Sequence, residues 1–158
     1  MSLTQEEVRA LLEKVKERLI KEAASRPKTC CPQKGRGGLK EVKSLEELLS
    51  YVEGCNAAIV TFYSPTCPYC RAFAPVYAEA ARVYGDMIPF LRVNTWRLPE
   101  AAHLFNVMGV PMTFGIVKGR PVAVIYGYGD YGQLEELVRK TLEAARCPAT
   151  PPTGALGA

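Results

Sequence analysis

Between Leu3 and Ala24 the apolar residues Val8, Leu11, Leu12, Val15, Leu19 and Ile20 return at steps of three and four, with Glu, Lys and Arg between them. The spacing predicts one amphipathic helix, opened by Thr4 with Glu7 three residues on as a capping box. A helix of about 20 residues is ~30 Å long, and its apolar stripe needs a cover. Its own domain is one candidate; a dimer or partner contact is the other. Periodicity then stops: residues 26–38 read RPKTCCPQKGRGG, with two Pro, three Gly and four basic residues, a linker or an irregular surface strap.

A short strand is expected at Leu39–Val42. Ser44 then caps a helix, with Glu47 three residues later, and that helix ends at Gly54. Ala57–Tyr63 (AAIVTFY) is an unbroken apolar run rich in β-formers, the pattern of a strand buried on both faces. Helical spacing resumes over Cys67–Tyr84, with a kink expected at Pro75. Met87–Asn94 reads as another buried strand and Pro99–Phe105 as a short helix. Met112–Lys118 and Pro121–Tyr126 read as a hairpin turned at Gly119 and Arg120. Asp130, with Gln133 three residues on, caps a last helix through Leu134, Leu137, Val138 and Leu142 to about Arg146. The closing CPATPPTGALGA is expected to be mobile. Strands alternating with helices make this an α/β chain without internal repeats.

The 158 residues are 48% hydrophobic and 23% charged, a globular balance that excludes a disordered chain or a collagen and suits a single core. Twenty Lys and Arg against 16 acids leave +4, spread without a basic run, so nucleic acid is not implied. No apolar stretch approaches the ~18 residues that cross a bilayer. Charge begins at Glu6 with no apolar signal core, so a cytoplasmic protein without a membrane span is expected. Six cysteines in such a chain point to redox chemistry or metal binding; the disulfide-rich intracellular proteins of hyperthermophiles are the exception. Three Asn and three Gln in all lean towards that exception.

Chemistry concentrates in Ser64-Pro65-Thr66-Cys67-Pro68-Tyr69-Cys70-Arg71, a C-x-x-C between a buried strand and a helix. The helix start offers unpaired N–H groups and the positive end of the macrodipole, so the Cys67 thiolate is favoured and should form below the ~8.5 of a free cysteine. Cys67 is the candidate nucleophile. Cys70, three residues on along the same face, can attack the mixed disulfide that Cys67 forms and release the product. A zinc site would need a second pair or nearby histidines; His103 is the only histidine and no second C-x-x-C exists. No metal and no cofactor is therefore expected.

These residues resemble the thioredoxin superfamily, over roughly Leu39 to Ala145. The strand feeding C-x-x-C, Pro75 five residues after Cys70, and Gly109-Val110-Pro111-Met112-Thr113 with its proline 41 residues after Cys70 stand in register. The Lys118-Gly119 turn, Gly127 and Gly132-Gln133-Leu134 complete the match. The resemblance implies a thioredoxin fold, a central mixed sheet flanked by helices, with the N-terminal helix as an addition. Its implied divisions are residues 1–25 for that helix, 26–38 for the linker, 39–147 for the thioredoxin-like domain and 148–158 for the tail. It further implies that Pro111 is cis and packs on the cysteines, and that the Val110 backbone receives extended substrate chains. Pro68 and Tyr69 join them as substrate-binding residues. The implied activity is thiol-disulfide exchange on protein disulfides, with a thioredoxin reductase-type donor.

Three departures stand out. Thr66 replaces the family's tryptophan before the first cysteine. Thr61 falls on the buried acid beneath the second, and Phe90 on the accompanying lysine, so Cys70 must lose its proton to water or substrate. Pro68-Tyr69 is a glutaredoxin-type dipeptide. A glutathione-dependent enzyme is therefore one rival, and a noncatalytic scaffold recruiting a partner through its N-terminal helix another. Tyr63 could shape the substrate groove or belong to the core rim. His103 reads as surface, Asp130 as a helix cap, and Trp96 as a cover for the active-site end of the sheet or for the core.

In a sheet of this kind Cys30, Cys31, Cys55 and Cys147 gather at the pole opposite C-x-x-C. Four free thiols, a structural disulfide joining Cys30 or Cys31 to Cys55 or Cys147, and a four-cysteine metal site all remain open. Adjacency of Cys30 and Cys31 disfavours the metal.

Overall fold

The computed structural model describes residues 4–25, 30–31 and 38–147. The tail, and the linker apart from its two cysteines and Gly38, lie outside the described residues. In order come α1 (Gln5–Ser25), β1 (Gly38–Glu41), α2 (Leu45–Gly54), β2 (Ala57–Tyr63), α3 (Pro68–Tyr84), β3 (Pro89–Asn94), α4 (Pro99–Leu104), β4 (Met112–Val117), β5 (Arg120–Tyr126) and α5 (Tyr131–Ala144). The strands form one sheet in the order β1-β3-β2-β4-β5. β1, β3 and β2 run parallel, β4 runs antiparallel to β2, and β5 antiparallel to β4. The fold is a mixed sheet flanked by helices.

Strand alternation divides the core into two layers. Ile59 and Phe90 face α3 and α5, where they meet Phe73, Tyr77, Leu134 and Leu137. Val60, Phe62, Leu91 and Val93 face the other way, against Leu48 and Val52 of α2 and Ala101 of α4. The buried Tyr77 hydroxyl lies 3.1 Å from the Ile59 carbonyl and 2.7 Å from that of Leu91, pinning α3 to β2 and β3. α5 crosses β4 where Gly115 has no side chain; a Cβ there would collide with the Thr141 hydroxyl.

Local signals set the helix ends. Ser44 accepts the Glu47 N–H at 3.1 Å, and Asp130 and Gln133 form a reciprocal capping box. α3 continues through Pro75. The hairpin turns at Lys118-Gly119, not at Gly119-Arg120. Both turn residues have positive φ, 50° and 80°, as a two-residue turn matching the strand twist requires.

The first helix departs from one expectation. Every residue from Thr4 to Ile20 is exposed, so α1 does not bury its stripe on its own domain: both faces of the sheet already carry helices. The strap is held at its cysteines instead. Cys30 bonds Cys147 and Cys31 bonds Cys55, with Cα separations of 5.6 and 4.4 Å. The Cys30 N–H also donates to the Met87 carbonyl at 2.6 Å, and the Asn56 N–H to the Cys30 carbonyl at 2.7 Å. No helix among the described residues is long and apolar enough to cross a membrane.

Candidate active site

β2 delivers the chain to Ser64-Pro65-Thr66, and Cys67 becomes the N-cap of α3. Pro68 opens the helix at a position where its missing N–H costs nothing. The Cys67 sulfur accepts the Cys70 N–H at 3.1 Å, so it takes the place of a capping oxygen and receives a donor that the helix would otherwise leave unpaired. Cys67 and Cys70 are both free thiols. Cys67 is half-buried, whereas Cys70 is only 5% exposed. Burial pushes Cys70 up to about 11, and the hydrogen bond to Cys67 adds to it; a hydrogen bond from the Ser64 backbone and the charge of Arg92 work the other way.

The Val110–Pro111 peptide is cis. It brings the Val110 carbonyl to 3.6 Å from the Cys67 sulfur, whose S–H donates to it. The Pro111 carbonyl accepts the Gly127 N–H at 2.8 Å, tying this loop to the end of β5. Beside it lies an open cleft of about 220 Å³ lined by Met108, Val110, Pro111, Met112 and Tyr126 with two glycines. Tyr69 is exposed on the first turn of α3. C-x-x-C, Val110 and Pro111 thus meet at one pole of the sheet, and Cys30, Cys31, Cys55 and Cys147 lie away from it, paired as disulfides. Among the described residues no group of three His, Cys, Asp or Glu is arranged to hold a metal.

Thr61 is buried under the site, and its hydroxyl meets that of Thr113 at 2.9 Å. The residue beside Thr61 on β3 is Arg92, not Phe90, which pairs with Ile59 in the core. An offset of two residues keeps a side chain on the same face, so alternation alone does not separate Phe90 from Arg92; the pairing register does. Trp96 and His103 are exposed, and Asp130 caps α5. Reading the chain alone passes over Met108 and Tyr126 in the cleft, and over a cluster of Glu41, Tyr63 and Arg92. The one signal for that cluster is a single charge between the apolar Leu91 and Val93 in PFLRVN of β3.

Comparison with known proteins agrees with this geometry. Residues 41–140 match the thioredoxin family model. Thioredoxin of Alicyclobacillus acidocaldarius is 30% identical over 92 residues, 58% of this chain and 88% of that protein. Bacillus subtilis thioredoxin is 27% identical over 101 residues, 64% and 97% of the two chains. The solved thioredoxin of Plasmodium falciparum superposes with a TM-score of 0.59 at 27% identity, covering 64% of this chain and 97% of its own. A match over most of the chain, centred on the strand, the C-x-x-C helix and the cis-proline loop, places this protein in the thioredoxin family of thiol-disulfide oxidoreductases.

Proposed function

We propose that the protein exchanges disulfides with other proteins through Cys67 and Cys70. The observation that carries this reading is the Val110 carbonyl 3.6 Å from the Cys67 sulfur, beside a cleft of apolar side chains. An extended substrate segment adding along the Val110 backbone would bring its disulfide to Cys67, and Met108 and Tyr126 would receive an apolar flanking residue. Cys67 thiolate attacks one substrate sulfur. A Cys67–substrate disulfide forms, the substrate disulfide breaks, and the departing sulfur takes a proton from water. Cys70 then attacks the Cys67 sulfur; the Cys67–Cys70 disulfide forms and the substrate leaves with both sulfurs reduced. A reductase of the thioredoxin reductase type would return two electrons to the pair.

Insulin reduction driven by dithiothreitol tests the reading. Wild type should accelerate precipitation of the insulin B chain, Cys67→Ser should not, and Cys70→Ser should accumulate a mixed disulfide. Equal rates for wild type and Cys67→Ser would leave a scaffold. Pro68-Tyr69 favours a second reading, a glutathione-dependent enzyme. Turnover of a small mixed disulfide that requires glutathione would select it.

A further inference from the structure

α1 is the element that the fold leaves uncovered. Val8, Leu11, Leu12, Val15 and Leu19 are each 41% to 63% exposed, and the two faces of the sheet are already occupied by α3 with α5 and by α2 with α4. A lone helix of this length is marginal in water, so the stripe calls for a cover from outside the chain. Its spacing says what kind. Residues 8, 12, 15 and 19 follow steps of four, three and four, which makes Leu12 and Leu19 a positions and Val8 and Val15 d positions of a heptad pattern. Leu11 at g widens the stripe to ~100° of the helix surface, the width of a bundle core and broader than a two-stranded seam. Leucine at a with a β-branched residue at d also shifts packing from two strands to higher orders.

We propose that α1 joins copies of this chain: four α1 helices pack side by side, parallel and in register, with their apolar stripes forming a common core. Three observations select a second copy as the cover. First, the helix carries both halves of the contact. An open groove runs along it between Leu12, Val15, Lys16 and Leu19, residues i, i+3, i+4 and i+7, the four-residue hole that receives a d-position knob in parallel packing. Val15 of the next copy is that knob. Second, charge selects the direction. In the parallel register the flanking e residues Arg9 and Lys16 lie across from Thr4 and Leu11 at g, and the Lys16 stem covers Leu11. Turned antiparallel, Arg9 of one helix would face Lys16 of the next, and like charges would meet. Third, the polar side does not suit a lipid surface. Arg9, Lys14, Lys16 and Arg18 are balanced by Glu6, Glu7, Glu13 and Glu17, and the stripe has no aromatic residue, so an anionic membrane finds neither net positive charge nor a ring to anchor. A ring of identical helices closes on itself, which stops growth. The assembly does not use the chemistry of Cys67, and it would carry several C-x-x-C sites on one particle.

Mass in solution tests this on the full chain, after alkylation of free thiols has removed disulfide-linked species. Sedimentation equilibrium over a concentration series into the hundred-micromolar range should reach four times 17.3 kDa. A single-chain mass throughout the series, or any smaller assembly at saturation, overturns the proposal. Leu12→Glu should return the protein to single chains, because it sets a carboxylate from every copy in one core layer. Leu12→Ala keeps a strong helix former in place, so it separates a lost contact from a lost helix. Its association should move to higher concentration by roughly tenfold or more; an unshifted curve overturns the proposal. Glu17→Gln, on the opposite face of α1, should leave the mass as it was, and dissociation there would overturn the seam. Lys16→Glu decides direction: a parallel bundle loses the stem over Leu11 and does not tighten, whereas an antiparallel one gains an attraction to Arg9. A tighter assembly therefore overturns the parallel arrangement.

Discussion

Burial, and secondarily the hydrogen bond to Cys67, holds Cys70 at about 11, so its thiolate is scarce near neutral pH. In the mixed disulfide Cys67 no longer carries a charge, but burial remains. The rate of resolution should therefore keep rising with pH beyond ~8.5, where an ordinary thiol levels off. Rapid quench of the mixed disulfide across pH checks this; a plateau near neutrality would mean that a proton acceptor sits beside Cys70. Thr61→Asp supplies such an acceptor where Thr61 now meets only the Thr113 hydroxyl. Resolution near neutral pH should speed up, while stability falls by about 1–3 kcal/mol because a carboxylate is buried where the hydroxyl was. Turnover at neutral pH and urea unfolding of the same variant measure both effects.

Each element carries its own instructions at its ends and its tertiary demands in its middle. The capping box of Asp130 with Gln133 and the paired positive φ of Lys118 and Gly119 are local. Gly115 is the opposite case: nothing near it in sequence calls for glycine, and Thr141 of α5 does. Gly115→Ala should lose about 1–3 kcal/mol through overpacking, read as a lower urea midpoint with unchanged slope. α1 makes a contrasting prediction. With residues 4–20 exposed throughout, removing residues 1–25 should leave the unfolding midpoint of the remaining chain where it was; a lower midpoint would show that the stripe is buried on its own domain.

For the whole molecule, the two disulfides tie the strap to Cys55 before β2 and Cys147 after α5. One joins residues 117 apart in sequence and the other 24. Loops of these sizes are worth roughly 3–5 kcal/mol each, through the freedom they remove from the unfolded chain. Cys147→Ser should lower the unfolding free energy by an amount in that range without touching Cys67. Chemical denaturation with and without the substitution, and alkylation of Cys67 at equal rates in both, are the measurements. The disulfide pairs and the free pair Cys67 and Cys70 thus share no residue.

The order of strands and helices, the caps at Ser44 and Asp130, and the placement of Cys67 and Cys70 at a strand-to-helix junction were legible in the sequence. Each depends on periodicity or spacing within a few residues, where the backbone answers to its neighbours. The link from Pro111 to the cysteines was legible only through family resemblance, since 41 residues separate it from Cys70. Four things were decided by tertiary structure: the partners of Cys30 and Cys31, the exposure of α1, the cleft of Met108 and Tyr126, and Arg92 rather than Phe90 beside Thr61. Phe90 and Arg92 share a face, and only the hydrogen-bonded register of β2 against β3 chooses between them. Local pattern states which side of a strand a residue takes; what it meets there is set by the packing of segments distant in the chain.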